Sequence, residues 1–240
     1  MKKIIDIIKN FFKKYSHIWT ASYFLIYMPW FMTLEKYITA DSEFYLMHTR
    51  LDDFIPFCEY FVVPYLLWFV YVPLVMGFLC YKSKREWYNA CIYLFGGMTI
   101  CLFICTVFPN GQDLRIQNFD ATKNIFTRLV AMIYSTDTNT NVFPSIHSFN
   151  SVACFLMLVR TETLRGRLKT VMCYLAGILS VSIVLSTMFL KQHSVLDAMA
   201  GVTLAVVGYV LVYNIDWETV AENNRIKAEK KKAEFKARRG

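Results

Sequence analysis

The sequence predicts an all-α protein, a bundle of six transmembrane helices with both termini in the cytoplasm. Three observations point there. Of 240 residues, 56% are hydrophobic and only 18% are charged, against roughly 45–50% and about a quarter in soluble domains. Five stretches are long and apolar enough to cross a bilayer, which takes about 20 residues. The basic residues divide unevenly between the loops that these stretches define. The same composition excludes disorder, a fibrous repeat and a nucleic-acid binder with a solvated surface, and the length suits one compact bundle.

The expected spans run from Ile18 to Leu34, Pro56 to Tyr81, Tyr88 to Phe108, Ser148 to Val159, Val171 to Leu190 and Val195 to Tyr213. The stretch from Ser148 to Val159 is short, and its length alone suggests a buried or re-entrant helix. Charge decides in favour of crossing. With six spans, 20 of the 26 Lys and Arg fall in the amino terminus, the 81–87 and 160–169 loops and the tail. Lys36, Arg50, Arg115, Lys123, Arg128 and Lys191 fall on the other side. If this stretch did not cross, that asymmetry would collapse.

The basic, apolar amino end lacks a small-x-small cleavage site, so it reads as the first span. Trp19, Trp30, Trp68, Trp87 and Trp217 lie near span ends or on apolar faces, where they can act as interfacial anchors. Residues 216–240 form a basic cytoplasmic tail with Lys230, Lys231, Lys232, Lys236, Arg238 and Arg239, read as a solvated helix end. The net charge of +8 is thus a topology signal. The seven cysteines lie in or beside apolar segments without Cys-x-x-Cys and read as small packing residues. Two outer loops are large, 35–55 and 109–147, and Asn124 to Ser135 suggests a short interfacial helix within the second.

Two of the four histidines sit at outer mouths of spans, on the same side of the membrane. His147 follows Phe143-Pro144-Ser145-Ile146. Pro suits a first helical turn and Ser145 can cap it. A helix amino end offers free N–H groups to a phosphate. His193 and Asp197 are four apart; if the helix begins near Gln192 they share a face. A carboxylate on one ring nitrogen fixes the tautomer and leaves the other free to attack. The plainer reading is an acidic residue balancing a helix dipole beside an incidental His. Arg115 can clamp phosphate oxygens, and Lys191 can add a point charge. No nucleotide loop, His-Glu-x-x-His or Gly-x-Ser-x-Gly is present, and no two histidines have local metal-ligand spacing. No metal or cofactor is expected.

Pro144, Ser145 and His147, followed by Ser186, His193 and Asp197, resemble the second and third motifs of the type 2 phosphatidic acid phosphatase superfamily, relatives of the vanadium haloperoxidases. Those motifs are Pro-Ser-Gly-His, and Ser-Arg, five residues, His, three residues, Asp. Ala200-Gly201 is also similar. Four positions depart. Ile146 stands for Gly and Thr187 for the phosphate-binding Arg. Around Arg115, Phe108 and Ile116 stand where the first motif has Lys and Pro. Two phosphate cations are therefore missing, as in the branch with inositol phosphorylceramide and sphingomyelin synthases.

The resemblance implies a haloperoxidase-like helical core within a catalytic domain over residues 1–215. It also implies a multi-pass protein of the bacterial plasma membrane with its site facing outward, acting on a lipid phosphate among membrane lipids. In the scheme it implies, His193 attacks phosphorus, Asp197 steadies the imidazolium, and His147 protonates the leaving oxygen. Arg115, Ser145 and Ser186 hold phosphoryl oxygens, with Lys191 standing in for a lost cation. Lipid phosphate phosphatase is the first expectation and head-group transfer the second. A degenerate lipid-binding scaffold is the competing class, favoured by the missing cations and opposed by the retained His147, His193 and Asp197.

Overall fold

The computed structural model describes residues 14–39, 41–116 and 120–215. The amino end, the basic tail at 216–240 and Trp217 lie outside the described residues. A 3-10 stretch, Ser16–Tyr23, runs directly into α1 (Phe24–Tyr37). After β1 (Tyr45–Leu46) and α2 (Arg50–Phe54), a 3-10 turn leads into α3 (Val62–Lys82). There follow α4 (Lys84–Val107), β2 (Asn110–Gly111), α5 (Ile125–Thr136), α6 (Ile146–Arg160) and α7 (Gly166–Phe189). The last helix, α8 (Val195–Tyr209), ends in a π-helical turn, Val210–Asn214.

Four segments are long and apolar enough to cross a membrane: Glu59–Lys82, Lys84–Val107, Gly166–Phe189 and Val195–Asn214. They match four of the six expected spans to within a few residues. At 1.5 Å per residue the 24-residue segments reach about 36 Å, beyond a hydrocarbon core of about 30 Å. On α7, Leu175, Ile178, Val181 and Leu185 all face outward, as a hydrocarbon surround allows. Among the described residues the other two expected spans are not in this set, although the first is a continuous helical segment over residues 16–37. The first begins as a 3-10 stretch before α1, and α6, with 15 residues, reaches only about 22 Å.

Instead of facing lipid, α6 is the central helix. It packs against α3, α4, α7 and α8 and buries Phe149, Ala153, Cys154, Met157 and Leu158. Glycine decides how near its neighbours come. A Cβ at Gly201 of α8 would collide with the Ser145 carbonyl and crowd the Phe149 N–H. One at Gly97 of α4 would enter the Phe149 ring. Between α3 and α4 the chain turns on Ser83, whose extended backbone breaks the helix and whose hydroxyl accepts the Glu86 N–H.

The two large loops close over one end of the bundle. β1 and β2 pair in parallel, Tyr45 with Asn110 and Leu46 with Gly111, and Gly111 also bridges Thr140. Buried Asn110 accepts the Phe143 N–H and donates to the Phe143 carbonyl, which fixes the chain entering α6. The expected short helix is α5, capped by Asn124, with Thr127, Val130 and Ile133 buried along one side. All seven cysteines are free.

Candidate active site

Two helix starts meet beneath these loops. Ser145 caps α6, its hydroxyl accepting the Ser148 N–H, and this sets His147 in the first turn. Ser194 caps α8 in a reciprocal box with Asp197: the Ser194 N–H donates to Asp197 Oδ2 at 2.9 Å. His193 therefore precedes the helix instead of lying within it. The turn before it pivots on Lys191, at φ 55°. There the Gln192 and His193 N–H groups both donate to the Thr187 carbonyl at the end of α7. The two starts are joined by the Ser145 N–H, which donates to the Asp197 carbonyl at 3.0 Å.

The expected trio comes together. His193 Nδ1 lies 3.5 Å from Asp197 Oδ2, within ion-pair reach but beyond the usual hydrogen-bond length, and Nδ1 has no hydrogen-bond partner among the described residues. The imidazole centroids of His147 and His193 are 5.8 Å apart, so one small group can touch both. His147 is held by α3, stacked on Tyr65 at 4.7 Å and tilted against Trp68 at 4.5 Å. Asp197 is fully buried and His193 is 8% exposed. Asp197 thus serves both readings of the sequence, as helix cap and as partner of the imidazole.

The four expected phosphate ligands are placed differently. Ser145 and Ser186 are fully buried, and the Ser186 hydroxyl donates to the Ile183 carbonyl. Arg115 donates to the carbonyls of Tyr134, Asp137 and Thr138 and, at 2.6 Å, to Gln192 Oε1. Its guanidinium also lies 4.8 Å from the Tyr134 ring centroid. Burial lowers its pKa from the usual arginine value, opposed by nearby Asp137. Lys191 Nζ donates to the Asp52 carbonyl. Arg115 and Lys191 thus brace the loops that frame His193, one through Gln192 and the other through Asp52.

A cavity of about 490 Å³ opens onto both imidazoles. Its apolar wall includes Tyr27 and Phe31 of α1, Leu66 and Phe69 of α3, and Met132 of α5. Its charged lining residues are Glu35 and Asp137, with no Lys or Arg among the described residues. Glu35 accepts from Thr138 and Asn141. Burial, joined by Glu35, holds the Asp137 carboxyl above the usual carboxylate range, against Arg115 and His193.

Sequence reasoning missed Asp52 and Gln192, which support His193, and the aromatic clamp of Tyr65 and Trp68. Asp52 carried a signal, since Thr49-x-x-Asp52 has capping-box spacing and the box is present. Asp52 also accepts from the Ser194 hydroxyl and the Val195 N–H, both at 2.7 Å. The aromatic pair is spaced three apart on one helix face.

Residues 122–221 match the family model of the PAP2 superfamily. This part of the chain belongs to the PAP2 superfamily. No curated protein and no solved structure matches the chain. PAP2 proteins act on phosphate esters as phosphatases or phosphotransferases, and the four long apolar helices fit a membrane protein. The matched segment holds Ser145, His147, Ser186, Lys191, His193 and Asp197, whereas Arg115 precedes it. Thr187, which stands where the resemblance has Arg, turns its hydroxyl to the Val184 carbonyl and its own carbonyl to the His193 turn.

Proposed function

We propose that the protein is a six-span membrane enzyme that cleaves a lipid phosphate ester at the extracytoplasmic face, first of all as a lipid phosphate phosphatase. The observation that carries this is the meeting of His193, Asp197 and His147 at the polar end of an otherwise apolar cavity. His193 attacks phosphorus through Nε2 and the ester P–O bond breaks. His147 gives its proton to the leaving alkoxide. Asp197 stabilises the imidazolium that forms. Water then attacks the phosphohistidine as His147 takes a proton, releasing phosphate and restoring both imidazoles. Lipid tails lie along the aromatic wall formed by α1 and α3. The scheme uses protein groups alone, so turnover is expected to survive a chelator.

Head-group transfer is a second reading, favoured by the cavity's lining. Glu35 and Asp137 without a lining Lys or Arg suit a singly charged phosphodiester better than a dianionic monoester. The apolar wall also suits an alcohol acceptor.

The test is phosphate release by purified protein in detergent from a panel of lipid phosphates. Free phosphate supports hydrolysis and identifies the substrate class. If no lipid phosphate releases it, hydrolysis is refuted; transfer from a phospholipid donor to an alcohol would then establish the second reading. Failure of both assays would sink the enzyme reading.

A further inference from the structure

Gln192 stands between Lys191 and His193 and is 2% exposed. Its Oε1 accepts from Arg115 Nη2 at 2.6 Å. A guanidinium can only donate, so this contact fixes which end of the amide is oxygen and turns the NH₂ group away from Arg115. That buried NH₂ has no hydrogen-bond partner among the described residues, and Gln192 lines the cavity shared by both imidazoles. Its backbone is locked with that of His193, since both N–H groups donate to the Thr187 carbonyl.

We propose that Gln192 binds a non-bridging oxygen of the phosphoryl group that His193 attacks, and that Arg115 is the positioning residue that aims its amide. This rests on the phosphoryl-transfer reading above. A buried donor with no protein acceptor calls for an acceptor from the ligand. No Lys or Arg lines the cavity among the described residues, so an anion there depends on neutral donors, of which the Gln192 NH₂ and the Trp68 indole N–H are buried without partners. The arginine charge reaches the site indirectly, by polarising an amide that donates at every pH. Gln192 thereby supplies a donor where Thr187 supplies none, its hydroxyl being turned to Val184.

The test is a thermal-shift titration with inorganic phosphate on the full chain in detergent. Gln192→Glu keeps an acceptor for Arg115 and removes the NH₂ group. It is expected to melt like the wild type without phosphate and to bind phosphate about 10- to 100-fold more weakly, the loss of one bond to a charged group. Gln192→Glu also adds like-charge repulsion to the anion, so the uncharged Gln192→Leu, or Gln192→Met if that does not fold, must weaken binding as well for the assignment to stand. Arg115→Lys, which can still donate to Oε1, should keep an affinity that Arg115→Gln loses at matched melting temperature. Equal phosphate affinity in wild type and Gln192→Glu overturns the assignment while leaving His193 in place. Failure of the wild type to bind phosphate overturns this inference, while the release and transfer assays above decide the phosphoryl reading separately. A short-chain phosphatidic acid that binds more tightly than inorganic phosphate marks the anion as a lipid head group, whereas equal affinities mark it as free phosphate. With affinity lost in the charged and uncharged Gln192 variants alike, either result upholds the amide's role.

Discussion

Asp52 is the side chain on which the His193 turn rests, and its removal has a calculable cost. Its carboxylate is 2% exposed. Oδ2 accepts from the Thr49 N–H, the Thr49 hydroxyl and the Ser194 hydroxyl, and Oδ1 accepts from the Val195 N–H. In Asp52→Asn the amide oxygen can keep the first three donors, but its NH₂ group then faces the Val195 N–H. One buried donor is left unpaired, which costs about 2 kcal/mol. Asp52→Ala orphans all four donors. These share one site and do not add, so roughly 3–4 kcal/mol is expected. For a chain of this size, 1 kcal/mol moves Tm by about 2–4 °C, so Asp52→Asn should melt about 4–8 °C low and Asp52→Ala lower still. Burial pushes the Asp52 carboxyl up, but the Ser194, Val195 and Thr49 donors outweigh it and set its pKa below the ordinary carboxylate value. The stabilisation is therefore complete above the unfolded pKa of about 4 and lost as pH falls through the lower folded value. Melting of detergent-solubilised wild type and variants between neutral pH and pH ~3 tests both parts. Variants melting within about 1 °C of wild type at neutral pH, or a gap that widens in acid, would refute the reasoning.

Three further outcomes follow from the same geometry. Gly201→Ala should lower Tm and turnover together, because the added methyl meets backbone at Ser145 and Phe149; a fully active, equally stable variant would show that α8 need not approach α6 this closely. His147→Ala should cost about 10²–10⁴ in kcat if it is the general acid, and a kcat near that of wild type would remove it from that role. Trp68→Ala removes one side of the clamp on His147, so kcat should fall while Tm drops by less than in Asp52→Ala; unchanged kinetics would show that Tyr65 suffices.

The long helices were legible because a bilayer demands uninterrupted apolar runs, and Glu59–Lys82 and Lys84–Val107 match theirs closely. The 3-10 start before α1 was not legible, since an apolar run does not distinguish one helical winding from another. α8 begins at Val195, where the expected span begins, and not near Gln192 as the His193–Asp197 pairing supposes, because Ser194 and Asp197 close a capping box. The two imidazoles and Asp197 were legible because Pro144 to His147 and His193 to Asp197 are local patterns. The destination of Arg115 was not. It depends on the 109–142 loop being folded back by the β1–β2 pairing and by Gln112, whose amide donates to the Lys191 carbonyl. Those contacts span 60 to 80 positions of sequence, beyond the reach of any local motif.

The most direct measurement is the covalent step itself. Wild-type protein would be mixed with a lipid phosphate radiolabelled at phosphorus, quenched in alkali, where phosphohistidine persists, and digested to locate the label. Label on His193 in the wild type, with neither label nor turnover in His193→Ala, is the expected result. Wild-type turnover rates in His193→Ala, or label at another residue, would contradict the assignment of His193 as the nucleophile.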